Sequence, residues 1–249
     1  MFSPGTCARS FIDKIITMDD PGFQILYEQG PCLAVNKPSG LLTQAPPGID
    51  SLELRIKNFI RNRGHPYDFV YLGVPHRLDR PASGAMVFCT KRRAARRLAE
   101  QFEDRLVNKI YWACVEGHVA PETGTWEDYL RKVPGNPHAE VVAPGLPQAR
   151  LAVLHYRVLD AGLWGSWLEI RLETGRTHQI RIQAASRGHP LLGDAHYGSA
   201  IPFGPQYDDL RLRAIALHAR ILEFKHPMTK EMISITAPVD DNWKEINIP

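Results

Sequence analysis

Short apolar runs rich in β-branched and aromatic residues outnumber helical stretches along this chain and rarely alternate with them. That order argues against βαβ winding and predicts an α+β domain on a mixed, largely antiparallel sheet. Two such runs, ILY and CLAV, flank Gly30-Pro31 between Ile25 and Asn36 and read as a hairpin. Further strands are expected at Ala85 to Cys89, Ile110 to Val115, Leu151 to Leu159, Trp167 to Glu173, Ala219 to Phe224 and Met232 to Thr236. Ser51 to Arg63 carries apolar residues at helical spacing, with Asp50 or Ser51 as the cap. Lys91 to Asp104 is the clearest helix, with Thr90 as N-cap and an apolar face of Ala94, Ala95, Leu98 and Phe102. Thr177 to Arg187 reads as a third helix, ended by Gly188-His189-Pro190. Five prolines (Pro121, Pro134, Pro137, Pro144, Pro147) mark residues 119 to 148 as an irregular surface excursion.

A chain of 249 residues at 44% apolar can bury one substantial core, or at most two small ones. Cys7, Cys32, Cys89 and Cys114 are widely spaced, form no CxxC pair, and read as reduced thiols rather than zinc ligands. No signal-peptide h-region opens the chain, and no apolar run approaches the roughly 20 residues of a spanning helix. A soluble, cytoplasmic protein is the expectation. The net charge of +3, from 30 basic and 27 acidic residues, is too mild to define a nucleic-acid binder, so the placement of charge matters more.

Chemistry concentrates in Gly73 to Arg92, GVPHRLDRPASGAMVFCTKR, where Asp79 stands between Arg77 and Arg80 ahead of a Pro-Ala-Ser-Gly turn. Guanidiniums beside a carboxylate favour its ionised form and also suit phosphate. Asp79 is therefore either one half of a structural ion pair or a nucleophile acting on a nucleic acid.

HRLDRPASG resembles the HRLDRxTSG signature of the RluA family of pseudouridine synthases, whose Asp is the nucleophile. Four more segments are similar to that family in the same order: LAVNKPSGL, KIYWACVEG, the run LETGRTHQIRIQAASRGHPLLGDAHYG, and LHARILEFKHPMTKE. Together they span roughly residues 25 to 240. Ala82 stands where the signature has Thr, and Gln183 where the third block has His. The resemblance implies one catalytic domain over residues 25 to 249, built on a bent sheet crossed by a cleft, after a lead-in at 1 to 24. It implies no separate N-terminal RNA-binding domain.

It also implies roles. Asp79 would be the nucleophile, Arg181 its basic partner, Ile180 the apolar support beneath the base, and Tyr111 the ring that stacks on it. Trp112 competes with Tyr111 should the strand register slip by one. Arg77 either enters the space vacated by the flipped uridine or contacts phosphate. Arg80 supports the turn or meets phosphate, Lys37 in the KPSG turn is a cleft contact, and Arg176 is a phosphate ligand at a helix start. Lys91 to Arg97 holds five basic residues in seven, either an RNA contact or a solvated face. Residues 119 to 148 and 198 to 209 are candidates for substrate selection.

Pseudouridine formation is a redox-neutral isomerisation, so no cofactor or metal is expected, and the sequence carries no GxGxxG or P-loop. The expected partner is ribosomal or transfer RNA, met by a monomer. Two rivals remain: a metal-dependent hydrolase using Asp79 with His76, His178, His189, His196 and Asp194, and a catalytically inactive RNA-binding protein of the same fold.

Overall fold

A computed structural model describes residues 21 to 246, apart from 65–68, 134, 136 and 137. Cys7, most of the expected lead-in, Pro134 and Pro137 lie outside the described residues.

The strands are β1 (Gln24–Gln29), β2 (Cys32–Lys37), β3 (Ser83–Cys89), β4 (Asn108–Glu116), β5 (Thr123–Lys132), β6 (Ala139–Val142), β7 (Arg150–Gly162), β8 (Gly165–Leu172), β9 (Leu217–Lys225) and β10 (Met232–Thr236). The helices are α1 (Leu52–Asn62), α2 (Arg92–Glu103), α3 (Gln179–Ala185) and α4 (Asp241–Lys244). All ten strands join one sheet in the order β1-β2-β3-β9-β4-β8-β7-β5-β6, with β10 also paired to β9. The β3–β9 pairing is parallel, and the other pairings are antiparallel. The fold is thus the α+β class read from the strand-rich sequence.

Period-two alternation divides the buried residues between the two faces. One face gathers Leu33, Val35, Met86, Phe88, Tyr111, Ala113, Leu154 and Ile170 against Leu52 and Ile56 of α1 and Ile180 of α3. The other packs Ala34, Val87, Cys89, Leu222 and Phe224 against Ala94, Ala95 and Leu98 of α2. Leu98 is fully buried, a contribution of about 1.5–3 kcal/mol. Ser51 caps α1 through a bond from the Leu54 amide at 3.2 Å.

The sheet's central seam depends on one glycine. Gly84 has φ +118°, and a Cβ there would lie 2.4 Å from the backbone of Ala219. A side chain at this position would push β3 off β9.

Several elements differ from the sequence expectation. Residues 119 to 148 contain the paired strands β5 and β6 rather than one irregular excursion. Pro121 precedes β5, and Pro144 and Pro147 follow β6, so these prolines flank the strands without breaking them. Trp126 and Leu130, four residues apart on β5, are buried. Thr90 does not cap α2: its hydroxyl turns to the Pro31 carbonyl at 3.5 Å, and Lys91 at the N-cap makes no side-chain bond. The third helix begins at Gln179, because His178 adopts a left-handed φ of +53° that a helix cannot continue. Cys32, Cys89 and Cys114 are free and buried.

Candidate active site

The turn Arg77 to Ala82 enters β3, and the loop before α3 faces it across the sheet, so one cleft forms between them. Its cavity measures about 540 Å³ and is lined by Arg77, Asp79, Tyr111, Arg176, Ile180 and Arg181, among others. That lies within the range of pockets that hold small ligands.

The floor is a charged chain of three side chains. Arg181 donates from Nε and Nη2 to Asp194 at 2.7 and 2.8 Å, and from Nη1 to Asp79 Oδ2 at 3.3 Å. The Arg181 and Asp194 side chains are 6% and 1% exposed, whereas Asp79 is 18% exposed to the cleft. Burial works against the Arg181 charge, yet the bonds and charges of Asp194 and Asp79 hold its guanidinium above the usual value. Residues 79 and 181 are brought together from 102 positions apart, as the resemblance implies.

Register settles which aromatic faces the cleft. Tyr111 pairs with Ile170 and Ala219 on the cleft side of the sheet. Trp112 points to the opposite side, edge-on to Trp167 at 4.8 Å and beneath the Arg220 guanidinium at 4.3 Å. Burial, then the Asp79 charge, push the Tyr111 phenol upward, so it stays protonated at neutral pH. Ile180 is 4% exposed at the cleft wall.

The remaining expected residues divide. Arg77 is exposed at the cleft and makes no hydrogen bond or ion pair to a described residue. Arg80 supports the turn, donating from Nε to the Gly40 carbonyl at 2.8 Å. Lys37 is not a cleft contact. It is fully buried, and its Nζ donates to the carbonyls of Pro38, Leu41 and Arg80, at 2.9, 2.7 and 3.2 Å. Burial pulls its pKa down to about 7, opposed by the charge of Asp79 and aided by that of Arg80. Lys37 therefore ties the KPSG turn to the Asp79 turn from below. Arg176 lines the cleft, but α3 starts three residues later, and its Nε donates to the Leu151 carbonyl at 2.9 Å. The helix-terminus argument for phosphate binding there does not hold. None of residues 91 to 97 lines the cleft, and Arg97 donates to the Pro227 carbonyl at 2.9 Å.

Gln183 donates from Nε2 to Asp128 at 2.7 Å and to the carbonyls of Trp126 and Ala152. It fastens α3 to β5 and β7. Asp194, the anchor of Arg181, enters the sequence reading only as a ligand of the metal-dependent rival; the GHPLLGD turn that holds it is the signal for its role here. Among the described residues, no three His, Cys, Asp or Glu side chains converge as a metal site.

The fold recurs in the human RNA pseudouridylate synthase domain containing 4, with a TM-score of 0.72 at 22% identity over 90% of this chain and 93% of that one. The family model described as RNA pseudouridylate synthase matches residues 31–186. The ribosomal large subunit pseudouridine synthase D of Neisseria meningitidis is 35% identical over 94% of this chain and 61% of its own length. The dual-specificity RNA pseudouridine synthase RluA of Vibrio vulnificus is 34% identical over 89% of this chain and 85% of its own. The chain belongs to the RNA pseudouridylate synthase family, in its RluA branch, whose members are isomerases.

Proposed function

We propose that this chain isomerises specific uridines of ribosomal or transfer RNA to pseudouridine, with Asp79 as the nucleophile. The observation that carries this reading is the Asp79–Arg181 pair at the cleft floor, with Tyr111 and Ile180 in the same cleft. The bond from the ribose C1′ to N1 of uracil breaks, the base turns, and a bond from C1′ to C5 forms. A proton leaves C5 and one is gained at N1, so atoms and electrons balance without a redox partner. Asp79 supplies the electron pair for a transient bond to the substrate and takes that pair back when the bond breaks to release pseudouridine. Arg181 orients its carboxylate, Tyr111 stacks on the detached base, and Ile180 supports it.

A uridine in folded RNA must leave its stack first, at a cost of a few kcal/mol. Arg77, exposed at the cleft and without a hydrogen bond or ion pair to a described residue, is the residue to fill the vacated space. Arg176 can reach a phosphate with the part of its guanidinium that Leu151 leaves unused. The ribosomal target is supported by the name of the meningococcal relative. A single catalytic domain over residues 25 to 249, acting as a monomer in the cytoplasm, completes the proposal; no helix among the described residues is long and apolar enough to cross a membrane.

The test maps pseudouridines in total RNA from cells with the wild-type protein, with Asp79→Asn, and with none. Sites lost in both the mutant and the null establish the activity and name the substrate. A map unchanged by Asp79→Asn but altered in the null removes Asp79 from the nucleophile role.

A further inference from the structure

The geometry points to His178 as a positioning residue for Asp79, with its imidazole set by the hydroxyl of Tyr197. This rests on the reading of Asp79 as the reacting carboxylate. His178 precedes α3 with φ +53°, a conformation that disfavours any residue with a Cβ. That backbone turn is what brings the imidazole to Asp79.

The hydrogen-bond chain favours one tautomer. The Tyr197 hydroxyl accepts from the Ala139 amide at 3.0 Å, which leaves its own proton to donate. Two acceptors are within reach: His178 Nδ1 at 2.8 Å and the Ala139 carbonyl at 3.5 Å. With the proton assigned to the shorter of the two, Nδ1 accepts, and an imidazole that accepts there carries its proton on Nε2. Nε2 lies 3.7 Å from Asp79 Oδ2, so an N–H faces the carboxylate.

Burial favours the neutral ring, pulling the His178 pKa down to about 4 against the opposing charge of Asp79. The charged and titratable groups around it are Asp79 from the turn before β3, Arg181 from α3, and Asp194, His196 and Tyr197 from the segment after it. A separation of 3.7 Å is too long for a formed hydrogen bond. Catalytic hydrogen bonds are commonly long in the unliganded enzyme and tighten with substrate. Both Arg181 and His178 approach Oδ2. Oδ1 makes no bond to a described residue and remains the oxygen available for attack.

Ala139 is the first residue of β6, so the chain β6–Tyr197–His178–Asp79 links the β5–β6 hairpin to the reacting group. A hairpin seated correctly keeps the carboxylate aimed.

Two substitutions separate this role from a purely backbone one. His178→Gln can place an amide N–H where Nε2 stands, whereas His178→Asn reaches only to the Nδ1 position. Asn tolerates the left-handed conformation better than Gln. Purified proteins act on total RNA from cells lacking the enzyme, with pseudouridine formation followed under multiple-turnover conditions at varied RNA concentration. If His178 positions Asp79, His178→Asn and His178→Ala lose about tenfold to a hundredfold in kcat with KM little changed, and His178→Gln is several-fold faster than His178→Asn. Tyr197→Phe, which keeps the ring over Arg181, lowers kcat in the same way by a smaller factor. The reverse order, Asn faster than Gln, or losses confined to KM, overturns the proposal. Asp79→Asn runs alongside: if it retains activity, or if the wild type makes no pseudouridine, the underlying functional reading fails instead.

Discussion

Arg181 gives its two shortest hydrogen bonds to Asp194 and only a 3.3 Å contact to Asp79. The guanidinium is thus anchored by a carboxylate buried behind the site and offered, one nitrogen forward, to the carboxylate in the cleft. An arginine tied down this way orients Asp79 without moving when substrate enters, the preorganisation that electrostatic catalysis needs.

Removing the anchor leaves the buried Arg181 cation with only the longer contact to Asp79, at 3.3 Å, to compensate it. Asp194→Asn is expected to cost about 3–5 kcal/mol of stability, read as a lower urea midpoint. It should also reduce turnover, since Arg181 can then swing toward Asp79 or away from it. An unchanged midpoint would show that Asp194 is dispensable.

Asp79→Asn keeps the volume and removes the nucleophile. Turnover should fall by roughly a thousandfold or more while folding and RNA affinity stay near wild type. Filter binding and far-UV circular dichroism, measured beside activity, check all three.

Tyr111 makes no hydrogen bond to a described residue through its hydroxyl, so its ring should matter most. Tyr111→Phe is expected to be milder than Tyr111→Ala in single-turnover assays. Equal losses would instead give the hydroxyl the larger role.

Acid should destabilise the protein through its histidines. Burial lowers His178 and His218 from 6.5 to about 4 each. Both folded values lie below the unfolded value, so between pH 6.5 and 4 the unfolded chain binds more protons. Stability is therefore complete above pH 6.5 and falls with acidification, by on the order of a few kcal/mol by pH 4.5. Urea unfolding at pH 7, 6, 5 and 4.5 measures it, and a midpoint constant over that range contradicts the assignment.

Gly84→Ala should destabilise by more than about 2 kcal/mol, because the strain of its positive φ adds to a 2.4 Å clash with Ala219. Thermal unfolding reads the difference directly.

Much of this was written locally. The β1–β2 hairpin announced itself through Gly30-Pro31, α1 through its spacing and Ser51, and α2 through its apolar face. The β5–β6 hairpin was hidden because proline density is a local signal, while pairing with β7 is not. Lys37 reads as a cleft contact because nothing nearby in sequence shows that Leu41 and Arg80 will fold their carbonyls over it. Asp194 was obscured for the same reason: a carboxylate in a Gly-Asp turn does not reveal which guanidinium it will meet. The motifs located the cleft, and tertiary packing decided which of their residues face it.

The parallel seam between β3 and β9 joins Ser83 to His218, 135 positions later, with Gly84 seated against Ala219 beside them. During synthesis, β3 emerges long before its neighbour exists. At roughly 5–20 residues per second, its edge waits about 7 to 27 seconds, apolar and unpaired, until β9 is made. In that interval the nascent chain depends on α2 and β2 for cover, and it is then most exposed to aggregation and to chaperone capture.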